Sequence, residues 1–203
     1  EQFAVCEDAG LFKQVRKPII VAHSFGGFIT LHTAASHADK LSGVVIVDSG
    51  LRPPEDKWDG PPRRSRGNRA YASLDAALAR FRLAPPQPCE NHYIADYIAR
   101  HSLKQVQNDT GQTGWIWKFD PAMLINFAFQ KMSTNMLADV ACPVALMRGQ
   151  DSVLVTDRIW DYMRSLRDGM DMVSIPDAQH HVMLDQPLAF VDEVQKQLDR
   201  WSY

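Results

Sequence analysis

The chain has 203 residues, 45% of them hydrophobic and 23% charged, with 22 Lys and Arg against 24 Asp and Glu and a formal net charge of −2. That length suits a single core, and that balance an ordinary globular protein. It excludes the overall electrostatic footprint of a nucleic-acid binder, and no apolar run of about 18 residues offers a bilayer span.

The opening segment EQFAVCEDAGLFKQVRKP has no basic, apolar leader pattern and reads as the tail of a helix. Ile19-Ile20-Val21-Ala22, led by Pro18, predicts a buried parallel strand. From Phe25 onward Phe28, Ile29, Leu31, Ala34 and Ala35 fall at helical spacing, and the pattern stops near Ser36-His37. Gly43 to Val47, nearly all β-branched, predicts a second buried strand. Residues 51–138 change character: Pro53-Pro54, Pro61-Pro62 and Pro85-Pro86 punctuate short helices such as 73–80 and 93–101, so this stretch reads as a helical insertion. Pro143 to Met147 resumes the strand pattern, Ile159 to Leu166 predicts a helix, and Asp171 to Pro176 a last strand. Leu188, Val191, Val194, Leu198 and Trp201 form the predicted apolar stripe of a closing helix. Alternating strand and helix predict an α/β fold, a parallel sheet with helices on both faces, built from residues 1–50 and 139–203 around the 51–138 insertion.

Cys6, Cys89 and Cys142 are odd in number and widely spaced, which fits a reduced, cytoplasmic setting better than a disulfide framework. None has metal-ligand spacing, and no CxxC, HExxH or Gly-rich phosphate loop occurs, so no metal, nucleotide or other cofactor is expected. Arg63, Arg64, Arg66 and Arg69 make a local basic run, read as solvated surface.

The chemistry starts at Val21-Ala22-His23-Ser24-Phe25-Gly26-Gly27, between the first strand and its helix. A serine held at positive φ on such a turn crowds the backbone two positions away on each side, where Ala22 and Gly26 leave room. The turn aims the Phe25 N–H and the helix N-terminus at the space above Ser24, which suits a developing oxyanion. A serine needs a base, and Gln179-His180-His181 follows the last strand.

Here the chain resembles the α/β-hydrolase superfamily, in the order Ser then His and in the His-x-x-x-x-acid-x-Pro ending of residues 180–187. The resemblance implies Ser24 as nucleophile, His180 as general base and Phe25 as an oxyanion donor. Two acids stay open. The superfamily's usual acid position, three residues after the penultimate strand's terminal Gly149, holds Ser152, with Asp151 one place earlier. Other members carry the acid after the strand that follows the elbow helix, where Asp48 lies 24 residues beyond Ser24. The insertion stands where these enzymes carry a cap. His23, Trp115, Trp117, Phe119 and Phe127, with Met123, Leu124 and Phe129, are candidates to line a substrate pocket.

The implied activity is hydrolysis of a small carboxylic ester or thioester through an acyl-enzyme, with a small-molecule acyl substrate and neither nucleic acid nor membrane as partner. The alternative is a non-hydrolytic protein of the same fold, either a lyase or a silent binding protein. The superfamily places several strands and a second oxyanion N–H ahead of the nucleophile, but only 23 residues precede Ser24. An N-terminally truncated hydrolase with an exposed sheet edge is therefore expected.

Overall fold

The structure, a computed structural model, describes residues 1–56, 69–107, 111–120 and 135–201. Phe127, Met123, Leu124 and Phe129 of the expected pocket, and Arg63, Arg64 and Arg66 of the basic run, lie outside the described residues. The chain divides into two compact units, Glu1–Lys57 with Ser133–Tyr203, and Trp58–Met132.

The first unit is an α/β layer structure, whose helices include the short α1 (Gln2–Asp8) and α5 (Met136–Asp139). Four parallel strands, β1 (Ile19–His23), β2 (Gly43–Val47), β5 (Val144–Gly149) and β6 (Asp171–Ile175), pair in the order β1-β2-β5-β6. Residues of β2 are buried throughout. A central parallel strand covered on both faces reads as a continuous β-branched run rather than an alternating one. Alternate residues nevertheless face opposite layers. Val45 and Val47 join Ala145, Met147, Ile175 and Trp201 in one cluster, against which Phe190 and Val194 of α8 (Pro187–Trp201) pack. Ile46 points the other way, toward Gly27 of α2 (Phe25–His37), on the side that also carries α6 (Asp157–Leu166) through Trp160, which lies under the Arg148 guanidinium at 5.0 Å. Helices therefore cover both faces of the sheet.

Two expectations change in detail. The inward face of α8 is Phe190, Val194, Gln197 and Trp201 rather than a stripe through Leu188 and Val191, which are 84% and 60% exposed. Spacing alone cannot tell which of two adjacent apolar rows a helix buries, because both repeat at about 3.6 residues. The other concerns β1, which is not the fully buried strand its apolar run predicts; among the described residues it is hydrogen-bonded to β2 alone and its Val21 is 41% exposed, in line with the exposed sheet edge that the sequence also led us to expect.

The second unit contains α3 (Leu74–Leu78), which begins at Ser73, whose hydroxyl accepts from the Ala76 N–H, and α4 (His92–His101). It also contains an antiparallel hairpin of β3 (Leu103–Gln107) and β4 (Thr113–Trp117) that the insertion's proline-punctuated sequence does not announce. Trp115 and Trp117 stand on β4, where aromatic residues suit a pleated surface.

Candidate active site

The site is built at the carboxyl ends of the sheet strands, the usual place for ligand chemistry in an open parallel sheet. As β1 ends, Ser24 takes φ 53° and ψ −122°, a conformation that L side chains rarely adopt, and α2 begins at Phe25. Such strain persists only where the surroundings over-determine it. The Ser24 N–H donates to Val47 O at 2.8 Å, and its carbonyl accepts from the Ser49 hydroxyl at 2.6 Å and the Gly27 N–H at 2.9 Å. A Cβ at position 27 would lie 2.1 Å from Ser49 Oγ, so only glycine fits there. At position 26 a Cβ would meet Ala22 Cβ at 3.7 Å, an ordinary contact. The tight constraint thus falls one residue later than the turn pattern suggests.

Directly after β2, Asp48 sits at φ 46° and is fully buried, as is His180 in the loop after β6. His180 Nδ1 lies 2.8 Å from Asp48 Oδ1. Asp48 Oδ1 also accepts the Ser152 hydroxyl at 2.6 Å, and Oδ2 the Gly149 N–H at 2.9 Å. Three donors around one carboxylate answer the cost of burying its charge, which unpaired would be several kcal/mol or more. With Asp48 ionised, Nδ1 carries the imidazole proton and Nε2 is left as the acceptor. That Nε2 is buried and has no hydrogen-bond partner among the described residues, so Ser24 Oγ and His180 Nε2 are not bonded to each other here.

His23 ties the two loops together. Its Nε2 donates to His180 O at 2.8 Å, and the two rings lie 4.6 Å apart. Burial, and then the neighbouring His180, push its imidazole down to about 4, so His23 is neutral at ordinary pH. Asp151 is exposed; its backbone N–H donates to Ala178 O. Of the two acids left open by the sequence, Asp48 is therefore the one bonded to His180. Phe119 is 45% exposed in the second unit.

Three contributors escape sequence reasoning. Ser152 receives the Leu154 and Val155 N–H groups on its hydroxyl while donating to Asp48. Gly149 lets the histidine loop cross the end of β5: a Cβ there would lie 2.1 Å from Gln179 O and 2.4 Å from Ala178 O. Arg148, buried, braces the segment after β5 that carries Ser152, through Val155 O at 3.1 Å and through the Asp157 carboxylate. Ser152 and Gly149 were marked in the sequence by position alone, as the usual acid place and the end of its strand, and Arg148 left no trace.

Residues 3–193 match the alpha/beta hydrolase family. Among curated proteins, the chain is 21% identical over 192 residues to the sn-1-specific diacylglycerol lipase ABHD11 of Danio rerio, covering 89% of this chain but only 56% of that protein. Among solved structures it resembles E-2-(acetamidomethylene)succinate hydrolase, with TM-score 0.68 and 23% identity over 95% of this chain and 71% of the other. It also resembles a novel esterase, Rv0045c, from Mycobacterium tuberculosis, with TM-score 0.68 and 21% identity over 98% and 67%. No helix among the described residues is long and apolar enough to cross a membrane. The match along nearly its whole length, together with the parallel sheet and the serine turn, makes this chain a member of the alpha/beta hydrolase family.

Proposed function

We propose that the protein to which this chain belongs hydrolyses a small carboxylic ester or thioester through an acyl-enzyme, with Ser24 as nucleophile, His180 as general base and Asp48 as the residue that orients the imidazole. The observation that carries this reading is the buried His180–Asp48 hydrogen bond of 2.8 Å, in a loop that His23, the residue before Ser24, ties to the serine turn. Ser24 Oγ attacks the acyl carbonyl and passes its proton to His180 Nε2, which the Nδ1–H···Asp48 bond presents in the basic tautomer. Charge developing on the carbonyl oxygen is met by the Phe25 N–H at the head of α2, where the helix dipole is positive. His180 then returns the proton to the leaving alcohol or thiol, and water cleaves the acyl-enzyme by the same route. In this reading residues 51–138 act as the cap that shapes the acyl pocket, with Trp115, Trp117 and Phe119 among its candidates.

The family description and the lipase and esterase relatives support a hydrolase. The test is labelling by a fluorophosphonate followed by peptide mass spectrometry, in parallel with turnover of short-chain p-nitrophenyl esters and acyl thioesters. Label on Ser24 and loss of both signals in Ser24→Ala are expected. Retained turnover in Ser24→Ala overturns the mechanism, and no label with no turnover favours a non-hydrolytic protein of this fold.

A further inference from the structure

We propose that His23, His180 and His181 form a binding site for a divalent transition ion of the zinc type, and that an ion held there inhibits the enzyme by occupying its base. The inhibition rests on the reading of His180 as that base; the binding does not.

Each of the three residues offers one ring nitrogen, and these lie within 4.8 Å of one another. Their rings form a closed group, with centroids 4.6 Å apart for His23 and His180, 4.8 Å for His180 and His181, and 5.5 Å for His23 and His181. Neutral imidazole is the ligand that zinc, copper and nickel share. His180 is oriented as a metal-bound histidine is: its Nδ1–H is held by a buried carboxylate, which fixes the tautomer and leaves Nε2 as the donor atom. That Nε2 is buried with no hydrogen-bond partner among the described residues, so a ligand there displaces no existing bond. His23 gives its Nε2 proton to the His180 carbonyl, which leaves Nδ1 as its basic nitrogen.

A tetrahedral ion at about 2.1 Å from each ligand holds the nitrogens about 3.4 Å apart, so binding draws the rings together by about an ångström. His181, half-buried at the N-terminal end of the short helix α7 (Val182–Asp185), is the ligand on the shortest element and the one whose ring must move. Three imidazoles leave the fourth position of the ion to water. Because the ion takes the lone pair on His180 Nε2, that atom can no longer accept the proton of Ser24.

The experiment is calorimetric titration of Zn²⁺ into the chelator-treated chain, with the visible absorption of Co²⁺ as a second probe of tetrahedral nitrogen coordination. Binding at one ion per chain is expected. His23→Gln and His181→Gln should each weaken it tenfold or more, while Ser24→Ala and a change at the exposed His32, outside the cluster, leave it unaltered. His181→Asn serves as a second variant should His181→Gln fail to fold by circular dichroism. Zn²⁺ should also suppress ester turnover reversibly by EDTA, and His181→Gln, measured against its own metal-free rate, should need at least tenfold more Zn²⁺ for the same suppression. No binding, or equal weakening by His32→Gln, overturns the site. Binding without loss of wild-type turnover overturns the inhibition alone. A chain that labels at no serine and cleaves no ester defeats the proposed function, and the calorimetry then decides the metal site independently.

Discussion

The Ser152 hydroxyl donates to Asp48 Oδ1 at 2.6 Å, across 104 positions of sequence. The residue standing where this superfamily usually carries its acid holds the carboxylate that is bonded to His180. Ser152→Ala should therefore leave Asp48 short of one donor and the Leu154 and Val155 N–H groups without their acceptor. A loss of about 1 to 3 kcal/mol in unfolding free energy is expected by urea denaturation. Wild-type stability in this variant would show that the bond contributes nothing.

Asp48→Asn keeps the shape of the side chain but removes the charge that fixes the His180 tautomer. Turnover should fall by about 10⁴-fold, as when the corresponding aspartate of the serine proteases is changed to asparagine. Asp151→Asn, at an exposed position, should change it little. Steady-state kinetics on both variants decide the assignment, and a severe Asp151 variant would reverse it.

Adjacent glycines should behave oppositely. Gly26→Ala places its Cβ in ordinary contact with Ala22 and should be neutral or stabilise α2 by up to about 1 kcal/mol through helix propensity. Gly27→Ala drives a Cβ into Ser49 and Ile46 and should cost about 1 to 3 kcal/mol by overpacking. Thermal unfolding of the two variants, side by side, measures the contrast.

Gly149→Ala is expected to move the histidine loop, since its Cβ would meet two backbone carbonyls that cannot rotate away. It should lower turnover more than Arg148→Lys, which keeps the positive charge while loosening the brace on residues 149–157. Turnover ranked the other way would locate the support for His180 in the arginine.

His23 supplies a pH dependence. Its folded pKa of about 4 lies below the 6.5 of an unperturbed imidazole, so between those values the unfolded chain binds the extra proton. Stability rises with pH across that window and is lost as pH falls from 6.5 toward 4. In metal-free buffer with EDTA, His23→Gln should flatten this part of the melting-temperature profile; an unchanged slope would remove His23 as its source.

The sheet was legible in the sequence because its signals are local. Val44 to Val47 and Val144 to Met147 are apolar runs too short for helices, and buried parallel strands demand such runs. The Ser24 turn was legible for the same reason: small residues, a strand and a helix stand within a few positions of one another. The β3–β4 hairpin was not, because Leu103–Gln107 shows only weak alternation and gains its partner through pairing rather than pattern.

Sequence by itself determined the four strands of the parallel sheet, the serine turn and the order in which serine and histidine follow each other. Tertiary structure alone decided which aspartate meets His180, because hydrogen-bonding geometry across 132 positions depends on how the strands lie side by side. It also decided that position 152 should serve Asp48, that Gly149 should clear a path for Gln179, and that three histidines from two distant segments should gather into one cluster. Each of these is a contact between residues at or just beyond the carboxyl ends of sheet strands, and Asp48 and His180 meet although β5 lies between their strands. Such contacts are created by register and strand order, which no local run of residues encodes.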